Sequence, residues 1–296
     1  MLQRQKGFKI IGHRGYGPTP AALKTPENLP HLLPENSLAA FKYALDNGAD
    51  GIECDVFLSA DGVPMLIHDD EIEQHAAPAV AAAMAGKLVS KMTAAEVAAV
   101  DIGGGHRVPT LEALFELVFG YTDRRAIINL DIKDTTCVAA VCALMQKHAA
   151  VMAAHDVIVS SFNWDILRDF RARDADIMLV PAIKSRILFG EENIGPGYVP
   201  LVDYYQPAAR GVLEELHREI RIAAYDTTTT DFKPALGAWA AAAGLGLQIS
   251  TANNRVSAAG SDYKTLHHLR ALAENGTVPY ALIKVDEPDK VRAALG

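Results

Sequence analysis

The stretch Ile10-Ile11-Gly12-His13-Arg14-Gly15 places an imidazole and a guanidinium directly at the end of a short apolar run. Three more runs, at 51–56, 64–69 and 127–133, carry or end in charged or imidazole groups in the same way. A parallel barrel or an open parallel sheet builds its site from polar groups at or near the carboxyl ends of its strands. The sequence therefore predicts an α/β protein whose site lies at these strand ends.

The rest of the chain alternates between predicted strands and helices. One helix is expected to have Asn36 as its N-cap and to stop at Asn47-Gly48, and another is expected to follow Pro109-Thr110. The later strands are expected at 157–162, 177–183, 202–206, 220–225, 245–251 and 280–285.

This alternation, without a glycine-rich phosphate loop or a dinucleotide fingerprint, predicts a TIM (β/α)8 barrel rather than a doubly wound sheet. Since the composition does not shift sharply anywhere in the 296 residues, we expect a single domain over 1–296. The proline-containing stretch at 16–34 lacks an apolar period and is expected to be a long loop insertion. The predicted strands slightly outnumber eight, so one or two should be accessory.

Composition and charge narrow the class of protein. Half of the residues are apolar and 22% are charged, which supports a buried core. The net charge of -8 comes without a basic stripe, so a nucleic-acid partner is not expected. The amino terminus lacks a signal-peptide pattern, and the alanine-rich stretch at 76–86 is far shorter than the roughly 20 residues that cross a bilayer. We expect a cytoplasmic protein without a stable membrane anchor and with free thiols, and the oligomeric state is left open.

Two acidic residues on one predicted strand are the strongest indication of a metal site. Glu53 and Asp55 are two positions apart, so their side chains point to the same face of the strand and repel each other unless a cation lies between them. The alternative is an exposed acidic pair on a half-solvated strand. Asp131, near the end of another strand, would add a third oxygen ligand. Ligation by carboxylates alone favours Mg²⁺ or Ca²⁺ over zinc.

Two histidines end different predicted strands. His13 and His68 are placed to act as acid and base on opposite sides of one reacting centre, although a single histidine at a strand end is more often a hydrogen-bonded structural residue. Arg14 and Lys133 supply positive charge for phosphoryl oxygens. The other histidines are expected to be surface groups.

At this point the sequence resembles the glycerophosphodiester phosphodiesterases. The resemblance is carried, in order, by Gly12-His13-Arg14-Gly15, Pro34-Glu35-Asn36-Ser37, Gly51-Ile52-Glu53-Cys54-Asp55 and His68-Asp69, and more thinly by Asp131-x-Lys133. It implies a TIM barrel that hydrolyses a small-molecule phosphodiester with one divalent cation. It also implies the roles of individual residues: His13 and His68 as the acid and base pair, Glu53, Asp55 and Asp131 as metal ligands, and Arg14 and Lys133 on the phosphate.

Besides the longer first loop, the chain departs from the family pattern at three places. Asp131 stands where the family usually has glutamate, the segment 71–77 replaces an arginine-threonine run, and a later Trp-Thr-Val-Asn strand is not recognisable. We therefore expect hydrolysis of a glycerophosphodiester to glycerol phosphate and an alcohol, with two alternatives. One is a phosphodiesterase acting on a lysophospholipid, a sphingolipid or a sugar phosphodiester, and the other is a non-catalytic barrel that binds a phosphorylated ligand.

Overall fold

The computed structural model describes residues 6–17, 33–183, 207–229, 232–251 and 261–296. Most of the loop insertion expected at 16–34 and the strand expected at 202–206 lie outside the described residues.

Eight of the strands alternate with helices along the chain, and three short ones do not. The eight strands are β1 (Gly7–Gly12), β2 (Gly51–Leu58), β6 (Ile127–Ile132), β7 (Asp156–Ser161), β8 (Met178–Pro181), β9 (Ala224–Thr228), β10 (Gly246–Ser250) and β11 (Tyr280–Val285). The short strands are β3 (Pro64–Leu66), β4 (Asp101–Gly103) and β5 (His106–Arg107).

The helices of the described residues follow the strands in the expected order. They are α1 (Leu38–Asp46), α2 (Pro78–Met84), α3 (Ala94–Ala98), α4 (Leu111–Phe119), α5 (Cys137–Lys147), α6 (Ala149–Ala154), α7 (Trp164–Arg173), α8 (Pro207–Ile220), α9 (Pro234–Ala243), α10 (Ser261–Glu274) and α11 (Pro288–Leu295). This strand and helix repeat is that of the (β/α)8 barrel, so the expected fold class is confirmed.

The chain forms two compact units. The first unit contains Ile11–Val157 and Asp286–Lys290, and the second contains Met1–Ile10, Ile158–Val285 and Val291–Gly296. In the first unit β2 pairs in parallel with β1 and β6. In the second, β8 pairs in parallel with β7, a parallel bridge joins Ala182 to β9, and β9, β10 and β11 are parallel neighbours.

Strand β2 is the central strand of the first unit, and residues 51–56 of it are buried. Its register with β6 places Asp55 beside Asp131. Gly51 makes the close approach of the two strands at their start feasible, because a Cβ at this position would overlap the backbone oxygen of Ile127. The register of β2 therefore brings two of the candidate ligands together.

Strand β3 is one of the accessory strands that we expected because the predicted strands outnumber eight. It runs antiparallel to β2, with Val56 opposite Leu66, and not in parallel like the other chemistry-bearing strands. Only residues 59–63 separate β2 from β3, which permits a hairpin but not the longer crossover that parallel neighbours need. His68 thus follows an accessory hairpin strand.

An accessory segment, residues 72–108, lies between β3 and α4 and has its own apolar cluster. Ile72, Val89, Val97 and Ile102 pack there with Met65 of β3. A 3-10 turn at Ile72–His75 opens the segment. This packing fixes the backbone that follows His68.

Two local predictions are corrected. The N-cap of α1 is Ser37, whose hydroxyl accepts from the Ala40 N–H, because the side chain of Asn36 is engaged by Asp55 instead. The strand expected at 220–225 begins only at Ala224, since Leu213, Leu216 and Ile220 are buried at helical spacing along α8.

Two observations concern possible membrane spans and the cysteines. In the part of the chain that it describes, helices are too short or too polar to cross a membrane. Cys54, Cys137 and Cys142 are not joined by a disulfide.

His155 is buried rather than at the surface, so the expectation for this histidine was wrong. It precedes β7, and its Nδ1 accepts a hydrogen bond of 3.2 Å from the backbone N–H of Ala126. Burial and the neighbouring Arg125 lower the pKa of His155. A proton on Nδ1 would face the N–H of Ala126, so the folded state favours the neutral form of the His155 ring.

The stability of the protein should therefore fall in mild acid. Because the unfolded chain binds a proton at His155 near its ordinary pKa of about 6.5 and the folded chain resists it, the free energy of unfolding decreases as the pH falls through that value. Urea unfolding at pH 7.5 and 5.5 should show a smaller decrease in His155→Gln than in the parent. His267→Gln, at an exposed position of α10, should keep the parent's decrease. Equal decreases in His155→Gln and the parent would contradict this assignment.

Candidate active site

Three carboxylates converge at one end of β2 and β6. Glu53, Asp55 and Asp131 each offer an oxygen, and these oxygens lie within 4.8 Å of one another. All three residues are buried. Asp131 belongs to this cluster even though its side chain is one methylene shorter than the family's glutamate.

Two cationic side chains face these carboxylates. Lys133 Nζ lies 2.8 Å from Asp55 Oδ1 and 2.6 Å from Asp131 Oδ2, and Arg14 Nε lies 3.2 Å from Asp55 Oδ2. Despite burial, the charges of Lys133 and Arg14 hold the pKa of Asp55 well below its usual range. Burial also opposes the charge on Lys133, but Asp131 and Asp55 raise its pKa. Asp55 and Lys133 are therefore both charged at neutral pH.

The carboxylate oxygens that Lys133 and Arg14 do not contact suit a hard divalent cation. Asp131 Oδ1 is buried and has no hydrogen-bond partner among the described residues. A donor set made of carboxylates alone fits Mg²⁺ or Ca²⁺.

The turn after β1 aims its backbone at the cluster. Arg14 has a φ of +52° and Gly15 a φ of +95°, and a Cβ on Gly15 would lie 2.8 Å from the carbonyl carbon of Ala40. In this conformation the Arg14 N–H donates to Glu53 Oε2 at 2.8 Å. A left-handed arginine costs conformational energy, and this contact helps to hold it.

Asn36 is a second left-handed residue at the site, with a φ of +58°. Its Nδ2 donates to Asp55 Oδ2 at 2.8 Å, and its Oδ1 accepts from the Asp55 N–H at 3.1 Å. The residue expected as a helix cap therefore orients a candidate metal ligand.

His13 is held by Asp286, which follows β11 directly. His13 Nδ1 lies 3.1 Å from Asp286 Oδ1. Burial lowers the pKa of His13, with partial compensation by Asp286, and burial raises the pKa of Asp286. His13 is therefore neutral at neutral pH, with its Nδ1 facing a carboxylate.

His68 is held by the residue that follows it. Its Nδ1 lies 2.9 Å from Asp69 Oδ2, and its side chain is 31% exposed. Although burial opposes ionisation, contacts with His68 and His75 lower the pKa of Asp69. Both candidate catalytic histidines thus have a carboxylate at Nδ1, which leaves Nε2 for proton transfer. Asp55 is within electrostatic reach of both rings.

His75 also lies at the site, and its expected surface position was wrong. Only 11% of its side chain is exposed, and it contacts Asp69 and Glu35. Glu35 binds Arg14 Nη1 through both of its oxygens at 3.0 Å. Burial opposes ionisation of Glu35, but the hydrogen bond from His75 and the charge of Arg14 lower its pKa to about 2.

The structure brings all seven predicted site residues into the first unit and adds partners that the sequence did not reveal. Direct contacts join Arg14, Glu53, Asp55, Asp131 and Lys133, whereas His13 and His68 are each fixed by a separate carboxylate. Among the missed partners, Asp286 carried a usable signal, since it follows a strand as His13 does.

The part of the chain that contains this site is similar to known proteins. The model of the glycerophosphoryl diester phosphodiesterase family matches residues 13–188. A glycerophosphodiester phosphodiesterase of Caldanaerobacter subterraneus subsp. tengcongensis is 30% identical over 180 residues, which cover 57% of this chain and 67% of that protein. One of Bacillus altitudinis is 33% identical over 135 residues, 43% of this chain and 46% of its own length.

Solved structures share the fold over nearly the whole chain. An Oleispira antarctica phosphodiesterase in complex with the product sn-glycerol-3-phosphate has a TM-score of 0.68 at 21% identity, covering 97% of this chain and 96% of that one. A putative glycerophosphodiester phosphodiesterase from Galdieria sulphuraria has a TM-score of 0.72 at 18% identity, covering 98% and 99%.

The resemblance that the sequence motifs carry is thus confirmed. Because the family model covers more than half of the residues, including the turn with His13 and the strands with Glu53, Asp55 and Asp131, this chain belongs to the glycerophosphoryl diester phosphodiesterase family of phosphoric diester hydrolases.

Proposed function

We propose that this protein hydrolyses a glycerophosphodiester to glycerol phosphate and an alcohol, with one divalent cation, Mg²⁺ or Ca²⁺, and with His13 and His68 as the proton-transfer pair. The observation that carries the proposal is the buried carboxylate cluster, which contacts two cationic side chains. Two imidazoles lie within electrostatic reach of Asp55, and each of them contacts a carboxylate of its own. Family membership supports the same reaction class.

Glu53, Asp55 and Asp131 would hold the cation, and the unpartnered Asp131 Oδ1 supports this assignment. When bound, a divalent cation supplies Lewis-acid polarisation of a phosphoryl oxygen.

Arg14 and Lys133 would bind the non-bridging phosphate oxygens. Arg14 contacts Glu35 and Asp55 through Nη1 and Nε, so we assign its Nη2 to the phosphate. Both cations are oriented by carboxylates before substrate binds, which lowers the cost of reorganisation during the reaction.

The two imidazoles divide the proton transfers. The lowered pKa of His13 leaves its ring neutral, so we assign it as the base that takes the proton from the attacking hydroxyl, either of water or of the neighbouring glycerol hydroxyl. The new P–O bond forms as the bond to the alcohol breaks, and His68 gives its proton to the departing oxygen. Attack by water gives glycerol phosphate directly. Attack by the glycerol hydroxyl gives a cyclic phosphate, and water then breaks one P–O bond of the ring to give glycerol phosphate. Asp286 and Asp69 orient the two rings.

The alcohol that leaves is tested with a substrate panel. Glycerophosphocholine, glycerophosphoethanolamine, lysophosphatidylcholine and a sugar phosphodiester are each incubated with Mg²⁺ or Ca²⁺, and products are quantified by ³¹P NMR. We expect glycerol phosphate from the first two. Turnover only of the long-chain substrate would favour the lysophospholipid alternative, and absence of turnover would favour a non-catalytic barrel.

Replacement of either histidine should nearly abolish turnover. His13→Ala and His68→Ala each remove a proton-transfer group, which is worth roughly a hundredfold to ten-thousandfold in kcat. Far-UV circular dichroism and Tm should stay close to the parent's. His267→Ala, at an exposed position of α10, should retain full activity. Near-normal hydrolysis by either active-site variant would refute the acid and base assignment.

Metal binding should depend on all three carboxylates. Calorimetric titration with Mg²⁺ and with Ca²⁺ should show affinity at least about tenfold weaker in Glu53→Gln, Asp55→Asn and Asp131→Asn. Asp46→Asn removes an exposed carboxylate that pairs with Lys42 on α1, and it should bind as the parent does. Parent-like affinity in Asp131→Asn would remove that residue from the ligand set.

A further inference from the structure

His75 stands between two carboxylates from distant parts of the sequence. Its Nε2 lies 3.1 Å from Asp69 Oδ2, and its Nδ1 lies 3.4 Å from Glu35 Oε1. It belongs to the segment 71–77, where this chain departs from the family pattern. Both ring nitrogens of His75 therefore contact carboxylates, and no other histidine in the described part of the chain is seen to make two such contacts.

Each of these carboxylates also contacts a residue that we assign to the reaction. The Asp69 oxygen that contacts His75 also lies 2.9 Å from His68 Nδ1. Glu35 accepts from Arg14 Nη1 through both of its oxygens. Polar contacts therefore run without a break through Arg14, Glu35, His75, Asp69 and His68.

The ring of His75 also links the two carboxylates electrostatically. Burial opposes its protonation, but the hydrogen bonds to Asp69 and Glu35 raise the pKa of His75. In return, His75 helps to lower the pKa of both carboxylates. A neutral, smaller side chain would leave the two anions without this shared partner, and each would be free to adopt other rotamers.

The backbone of His75 is fixed by packing. The residue ends the 3-10 turn at Ile72–His75, and the buried side chains of Ile72 and Ala76 belong to the apolar cluster of the accessory segment. The Ala76 N–H donates to the carbonyl oxygens of Ile72 and Glu73, each at 3.2 Å. A ring held in this way can impose its position on flexible partners.

We propose that His75 is a positioning residue that sets the ring orientation of His68 through Asp69 and the position of the Arg14 guanidinium through Glu35. This inference rests on the proposed function for its kinetic consequence, because His68 and Arg14 contact the reacting phosphodiester only in that reaction. With Asp69 fixed, the Nδ1–H of His68 points at the carboxylate and Nε2 points away from it. Small displacements of such groups cost large factors in rate.

The kinetic test compares His75→Ala with His148→Ala. His148 is a matched control, since its side chain is 17% exposed and its Nε2 lies 2.9 Å from Glu112, outside the site. With glycerophosphocholine and the activating cation, kcat of His75→Ala should fall about tenfold to a hundredfold. KM should rise less than kcat falls, and His148→Ala should match the parent. Equal losses in the two variants, or a change of less than about twofold in His75→Ala, would overturn the proposal.

A second readout does not depend on turnover. The Nδ1 proton of His68, assigned by its loss in His68→Asn, should give a slowly exchanging downfield ¹H resonance in the parent and in His148→Ala. The resonance should broaden or disappear in His75→Ala at unchanged Tm. If the parent hydrolyses none of the diesters, the proposed function fails, whereas this comparison still decides whether His75 orients His68. An unchanged resonance overturns the positioning role.

A conservative variant guards against misfolding. His75→Gln keeps most of the volume and an N–H donor, so it should recover part of the kcat lost in His75→Ala and keep the His68 resonance. If His75→Ala does not fold, His75→Gln is compared with His148→Gln, and kcat should be lowered only in His75→Gln; a parent-like kcat in His75→Gln would then overturn the proposal. A His75→Gln enzyme that is no more active than His75→Ala, with a parent-like Tm, would contradict positioning through these hydrogen bonds.

Discussion

The ionised carboxylate of Asp55, buried on the central strand of the first unit, is the constraint on which the site depends. An ionised carboxylate removed from water is costly unless cations and hydrogen-bond donors replace its hydration, and loss of one partner of a buried pair typically costs about 3–5 kcal/mol. Here Lys133 comes from the end of β6, Arg14 from the turn after β1, and Asn36 from the start of α1. One side chain therefore ties three separate elements to β2.

The central part of the site could be predicted because its geometry is local or follows from strand order. Glu53 and Asp55 share a face by the twofold period of a strand, and parallel pairing of β2 with β6 brings Asp131 beside Asp55. Of the more distant partners, Asp286 was missed although it follows a strand as His13 does, and the contacts of His75 have no such signal. Asp286 lies 273 residues from His13, and the contact of His75 with Glu35 depends on how the accessory segment folds. Neither contact follows from the helix or strand period of the sequence.

The errors in local structure have the same origin. The run at 64–69 has the composition of a barrel strand, and only the short connection after β2 shows that it must turn back as a hairpin. Ile220 is as apolar as a strand residue, but it completes the buried stripe of α8. Asn36 has the chemistry of a helix cap, yet its amide is engaged by Asp55 while Ser37 takes the cap. For Asn36 and Ile220 a longer-range contact overrode the local propensity, whereas for the run at 64–69 the length of the connection decided.

The position of His68 has an evolutionary consequence. It enters the site from the hairpin of β3, whereas Glu53 and Asp131 come from strands of the parallel repeat. An insertion or deletion at 59–63 would act on the segment that carries both His68 and His75, outside β1, β2 and β6. Under the proposed function, the residues that would hold the cation and the residue that would donate the proton thus come from separate elements, and a descendant could change its leaving-group chemistry without altering the carboxylate cluster.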